Sequence, residues 1–212
     1  MTTTTITAST TGLSTFGGND GTLTIQTGPS GSPVNAITIN SAGQATLLSP
    51  LVAGATITLG TAQATTSGTS ILFTGIPATA KRVTVNFKGV GTSGTSIKQV
   101  QIGSGSVTTT GYTATCSLIS GTGSATLATA STGFVIESQV AANRIHGQMV
   151  LTLENSATNT WVESHNAAVT DLPGTLIGSG SIALSGALDR INITTVNGTD
   201  TFAAGEINVM WE

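Results

Sequence analysis

Apolar and polar positions alternate with a period of two along most of this chain. In "EINVMWE", residues 206–212, Ile207, Val209 and Trp211 share one face while Asn208 and Met210 share the other. "KRVTVNFKGV", "RIHGQMVLTL" and "TWVESHNAAV" read the same way. A period of two is the signature of a half-buried strand, and no sustained i, i+3, i+4, i+7 stripe competes with it. The best helical candidate, "FVIESQVAANRIHGQMVL", reads better as two strands joined by "QVAANR" as a turn or short helix. After residue 66, further strand candidates are "SILFTG", "SIKQVQIG", "GYTATCSLI", "TGFVIES", "TLIGSGSIAL" and "DRINITTV", separated by Gly, Ser and Asn. Many short strands at close spacing predict an all-β, antiparallel β-sandwich, jelly-roll-like, over residues 67–212. "TVNGTDTF" sets Asn197-Gly198 between strand formers, which predicts a type I′ hairpin.

The first 66 residues differ. "GTLTIQTGPSGSPVNAITIN", residues 21–40, carries no charged side chain, and Asp20 is the single charge before residue 67. "TLTIQT", "AITIN" and "ATITLG" resemble one another without a strict period. Three parts follow: an arm over 1–20, an extended β-repeat-like segment over 21–66, and the sandwich over 67–212. Ordering backbone costs roughly 1–2 kcal/mol per residue, and a buried Ile or Leu returns roughly 1.5–3 kcal/mol. With so few large apolar residues, the segment up to about 66 is expected to order against partner chains or other proteins. Its strands also lack the Lys and Pro that blunt a free edge.

Charge sharpens this picture. Only 7% of the 212 residues are charged, against about 25% in a typical soluble domain. The net charge of −3 draws the chain toward neither nucleic-acid phosphates nor an acidic membrane surface. "LLSPLVAGATITLG" is the longest greasy stretch, and Ser, Pro, Gly and Thr break it well short of a span, so no membrane insertion is expected. The start, "MTTTTITASTTG", has neither the basic residues nor the apolar core of a signal peptide, so synthesis in a cytoplasm is expected. The one cysteine, Cys116 in "YTATCSL", admits no internal disulfide and reads as a buried, inert thiol with no His near it in sequence.

Candidate chemistry is sparse. "GVGTSG", residues 89–94, matches a dinucleotide fingerprint, but "TSIKQVQIG" continues with period two where a phosphate-binding helix should start. A hairpin loop is the expectation. Ser164-His165 with Asp171 suggests a triad, yet no G-x-S-x-G elbow accompanies it and triads are defined by geometry. His146, inside "RIHGQMVL", reads as a sheet-face residue. Glu137, Glu154, Glu163, Asp171 and Asp189 are isolated in sequence; neither a calcium loop nor a zinc spacing appears, and nothing selects a glycosidase pair. The sequons at Asn192 and Asn197 fit a Thr-rich chain by chance, and an ice-binding face would need a solenoid period that is missing. Phe73, Phe87, Phe134 and Trp211 are expected in the core, with Trp161 left open between core and surface. No catalytic, cofactor-binding or metal-ligating residue is assigned, and no cofactor is expected.

Two segments carry a resemblance. "ILFTGIPATAKRVTVNFKGVGTSGTSIKQVQIGSG", followed by "TTGY", resembles the opening of a carboxy-terminal module of tailed-phage virion proteins. "GSGSIALSGALDRINITTVNGTDTFAAGEINVMWE" resembles its end, and "DGTLTIQTGPSGSPVNAITINSAGQATL" resembles the short β repeats of phage fibres. The resemblance implies a non-enzymatic structural protein of a virion: a tail fibre, a head fibre or a decoration protein that cements the head. Such proteins are β-rich and commonly trimeric. The implied partners are itself as a homotrimer, other virion proteins through the amino-terminal segment, and a host surface glycan or protein. A carbohydrate-active enzyme is the alternative outside this class.

Overall fold

The computed structural model describes residues 14–17, 23–27, 34–47, 57–136, 141, 143–171 and 173–212. The arm up to residue 13, the Gly-Pro-Ser-Gly-Ser-Pro break at 28–33, Glu137 and much of "QVAANR" lie outside them. The chain forms two compact units, Met1–Ala55 and Thr56–Glu212. All described secondary structure is β and antiparallel, and no helix among the described residues is long and apolar enough to cross a membrane.

The first unit is a four-stranded meander of β1 (Ser14–Gly17), β2 (Leu23–Thr27), β3 (Val34–Ile39) and β4 (Ala45–Leu47), each paired with the next. The β3–β4 turn is built by Asn40, whose Oδ1 accepts from the amides of Ala42 (3.0 Å) and Gln44 (2.9 Å). Residues 37–39 of this sheet are half-buried, and residues 40–46 are exposed.

The second unit begins with β5 (Thr58–Leu59), β6 (Gln63–Ala64), β7 (Ser70–Thr74), β8 (Arg82–Thr92), β9 (Lys98–Ser104) and β10 (Ser106–Val107). It continues with β11 (Thr113–Ser120), β12 (Ala125–Ala130), β13 (Phe134–Ile136) and β14 (Ile145–Asn155). It ends with β15 (Thr160–Val169), β16 (Gly174–Ala183), β17 (Arg190–Thr195) and β18 (Phe202–Trp211). Nine strands form one sheet in the order β12-β11-β16-β15-β14-β8-β18-β5, with β6 also on β18. Five form the other, β10-β9-β17-β7, with β13 also on β9. Val83, Val85, Met149, Leu151, Leu176, Ile207 and Val209 of the larger sheet share one buried cluster with Phe73, Val100, Ile102, Ile191 and Ile193 of the smaller. That is the arrangement of a β-sandwich.

Three boundaries differ from the sequence reading. The division expected near residue 67 falls between Ala55 and Thr56, because β5 and β6 pair with β18 and Thr65, fully buried, donates its hydroxyl to Ala204 O (2.6 Å). The Asn197-Gly198 turn is not a hairpin. β17 and β18 lie in different sheets, Asn197 does not have positive φ, and Gly198 (φ 67°) closes a turn by donating to Thr195 O at 3.0 Å. Gly at the fourth position of such a turn is the type I preference. "GVGTSG" is no hairpin loop either: residues 89–92 belong to β8, and the following residues carry the chain from one sheet to the other.

These two crossovers are tied together. Ser93 N donates to Thr201 O (2.8 Å), and the Asp200 carboxylate accepts from Ser96 N (2.9 Å) and Asn197 Nδ2 (2.8 Å). A carboxylate therefore holds an amide that a nucleotide phosphate would need, and repels a second anion. Calorimetry with NAD or ATP is expected to show no binding; a micromolar affinity abolished by Gly91→Val would overturn this.

Candidate functional site

The alternation of β15 decides the chemistry of its neighbourhood. Trp161, Glu163, His165, Ala167 and Val169 face the core, and Val162, Ser164, Asn166 and Ala168 face out. Ser164 and His165 thus lie on opposite faces, and Asp171 is on the surface 3.5 Å from Arg144 Nε. The sequence-adjacent triad is not assembled.

A different trio is. Across the sheet, Cys116 of β11 pairs with Gly178 of β16, and Gly178 pairs with His165 of β15. His165 Nδ1 lies 2.5 Å from Glu163 Oε1, and Nε2 lies 3.3 Å from Cys116 Sγ. Gly178 makes this possible: any Cβ there would overlap the imidazole, which crosses above the intervening strand to reach the thiol. At Gly180, two residues on, a Cβ would press on Phe134 at 2.9 Å. Burial opposes a charge on His165, but its hydrogen bonds to Cys116 and Glu163 and the Glu163 charge outweigh that, raising its pKa to about 9. That shift favours the protonated ring, in which both nitrogens donate.

The trio has the order of a thiol–imidazole–carboxylate nucleophile, but its side chains point inward. Those of His165 and Glu163 are each 1% exposed, and Cys116 is 1% exposed, so no substrate reaches the sulfur in this conformation. Nor does the trio form a metal site. Its sulfur and carboxylate sit on opposite ring nitrogens, and no group of three His, Cys, Asp or Glu among the described residues is placed to hold a metal. As placed, the trio is a polar tie within the core, linking β11 to β15 across β16.

The remaining candidates are separated. Glu154 is exposed near the end of β14, and Asp189 holds Arg190 (2.7 Å) and the Gly105 amide. His146 is half-buried on β14 beside the bulge where the β14–β8 register shifts. Phe73, Phe87 and Phe134 are buried, Trp211 is partly buried against the core, and Trp161 is buried at 2% exposure. A second buried charge, absent from the sequence reading, is Lys98. It is 2% exposed and its Nζ has no hydrogen-bond partner among the described residues. Burial lowers its pKa to about 8 against the weaker pull of Asp200.

The outer face of the larger sheet contrasts with this interior. Along one rung, Leu127, Ser117, Ile177, Asn166, Gln148 and Asn86 lie side by side on six consecutive strands. Next to it, Thr115, Thr129, Ser179, Ser181 and Val162 line a shallow groove of about 750 Å³. No family model matches the chain, and neither a curated protein nor a solved structure matches it.

Proposed function

We propose that this chain is a non-enzymatic structural protein on the surface of a tailed-phage virion, a trimeric tail or head fibre that mediates host attachment. In this reading the jelly-roll-like sandwich is distal, and the repeat-like amino-terminal segment joins it to the particle and to partner chains. The observation that carries the reading is the imbalance in the first unit. It is a four-stranded sheet in which residues 37–39 are only half-buried and 40–46 are exposed. With so little buried among its described residues, this sheet gains little from folding alone and in this reading is completed by neighbours. The 7% charged composition fits surfaces that meet other protein rather than water. The resemblance of both ends of the sandwich to a phage virion module points the same way.

Purified particles labelled through a tag on this chain and imaged by electron microscopy test the proposal. Label confined to fibres at tail or head is expected. Label at a copy number tied to the capsid lattice would assign the decoration role instead. Particles without the chain would overturn both.

A further inference from the structure

We infer that the outer face of β12, β11, β16 and β15 is the surface through which copies of this chain associate, with a second copy as its occupant. The inference goes beyond the proposed trimer: a face that meets its own copy pairs two chains about a two-fold axis. Asp, Glu, Lys, Arg and His are absent from β11, β12 and β16, the Cys116 thiol of β11 is buried, and the Glu163 and His165 side chains of β15 point into the core. The charges that the described residues pair are elsewhere: Arg82–Glu212 and Lys88–Glu206 at β8 and β18, Arg144–Asp171 beyond the strand ends, and Asp189–Arg190 at β17. A chain with few charges has placed them away from one contiguous four-strand surface.

That surface is also where exposed aliphatics gather. Leu127 (74% exposed) and Ile177 (49%) both lie opposite Ser117, and Ile119 (46%) is two residues along the same strand face. Val162 (39%) adds a fourth across the groove. The groove is lined mainly by Thr, Ser, Ala and Gly, and Glu163 beneath it keeps its side chain 1% exposed; the hydroxyls can donate or accept, so it suits a neutral protein face of the same composition.

Among the described strands, none covers the edge beside this face: β12 ends the nine-stranded order and pairs with β11 alone. Its sequence, Ala-Thr-Leu-Ala-Thr-Ala, has no Lys, Pro or acid to deter pairing. At the opposite end the sheet is closed by the two-residue strands β5 and β6. From ~3.3 Å per residue and ~4.8 Å per strand, the four strands project on the order of 500 Å². A corrugated face exposes more than its projection, so this approaches the ~800 Å² per partner of a standard interface. Two such faces meet without charge repulsion, whereas an acidic or basic partner would find nothing to pair with.

The test uses the full chain and the variant Leu127→Lys/Ile177→Lys, whose side chains point to solvent and so leave the core intact. Analytical ultracentrifugation of the wild type at high micromolar concentration is expected to show association. The double variant, with unchanged circular dichroism, should associate at least about 100-fold more weakly, because each copy must desolvate two unpaired ammonium groups. Amides of β12 should gain hydrogen-exchange protection with wild-type concentration and not in the variant. A wild type that stays monomeric overturns the inference, as does association that the variant leaves unchanged. So does a monomer retained on immobilised neutral polysaccharide through this face. Failure of the particle labelling with association intact would remove the virion reading and leave this surface standing.

Discussion

Removal of residues 206–212 is expected to give insoluble protein, with the soluble fraction lost on expression and no cooperative unfolding transition. β18 is an interior strand. It pairs with β8 from Phe202 to Trp211 on one side and with β5 and β6 on the other. The truncation removes Ile207 and Val209, 0% and 1% exposed, each contributing roughly 1.5–3 kcal/mol by burial. It also unpairs both neighbours and strips Glu212, whose carbonyl accepts from Lys81 N (2.7 Å) and Arg82 N (3.1 Å). The sum is comparable with the whole stability of a domain, about 5–15 kcal/mol. A soluble truncated protein with native-like protection in β8 would refute the assignment of β18 as an interior strand.

Stability is expected to fall as pH rises from about 6.5 toward 8, then to level off and recover above about 9. His165 has a folded pKa of about 9 against an ordinary 6.5. Its stabilisation is complete below 6.5 and is lost as pH rises through 9, an effect of about 3 kcal/mol in all. Lys98 acts with the opposite sign. Its folded pKa is about 8 against an ordinary 10.5, so its buried charge costs stability below 8 and that cost disappears as pH rises toward 10.5. Urea midpoints measured at half-unit steps read the profile. Lys98→Met should remove the recovery and leave a monotonic fall, and Glu163→Gln should flatten the fall between 6.5 and 8. A wild-type midpoint that rises steadily from pH 6.5 to 8 would contradict the imidazolium at the centre of the trio.

Strand identity was legible where one face of a strand meets the core. The alternation of β18 set Ile207 and Val209 inward, as found, and Phe73, Phe87 and Phe134 took core positions as expected. "TWVESHNAAV" already placed Glu163 and His165 on the face of Trp161, and "YTATCSL" placed Cys116 with Ala114 and Leu118. Their meeting was not legible, because it depends on β16 lying between β11 and β15, an order set by non-local pairing rather than by any local pattern. The inward glycines of "IGSGSIAL" were the available hint, since Gly in a strand marks close approach of another group. Asn197-Gly198 misled for a related reason: a turn signal reports that the chain reverses, not which sheet it rejoins.

The pairing of β5 with β18 has a consequence for how the sandwich can be carried. Thr58 is the register partner of Trp211, so the two ends of this unit lie on neighbouring strands, about 5 Å apart in backbone terms. A pull between those two ends enters at β5 and β18 and is borne first by the few hydrogen bonds between them. The same adjacency makes the unit a natural cassette. It can be grafted into a surface loop of another protein, or reopened at a new position with its old ends joined, without stretching any strand.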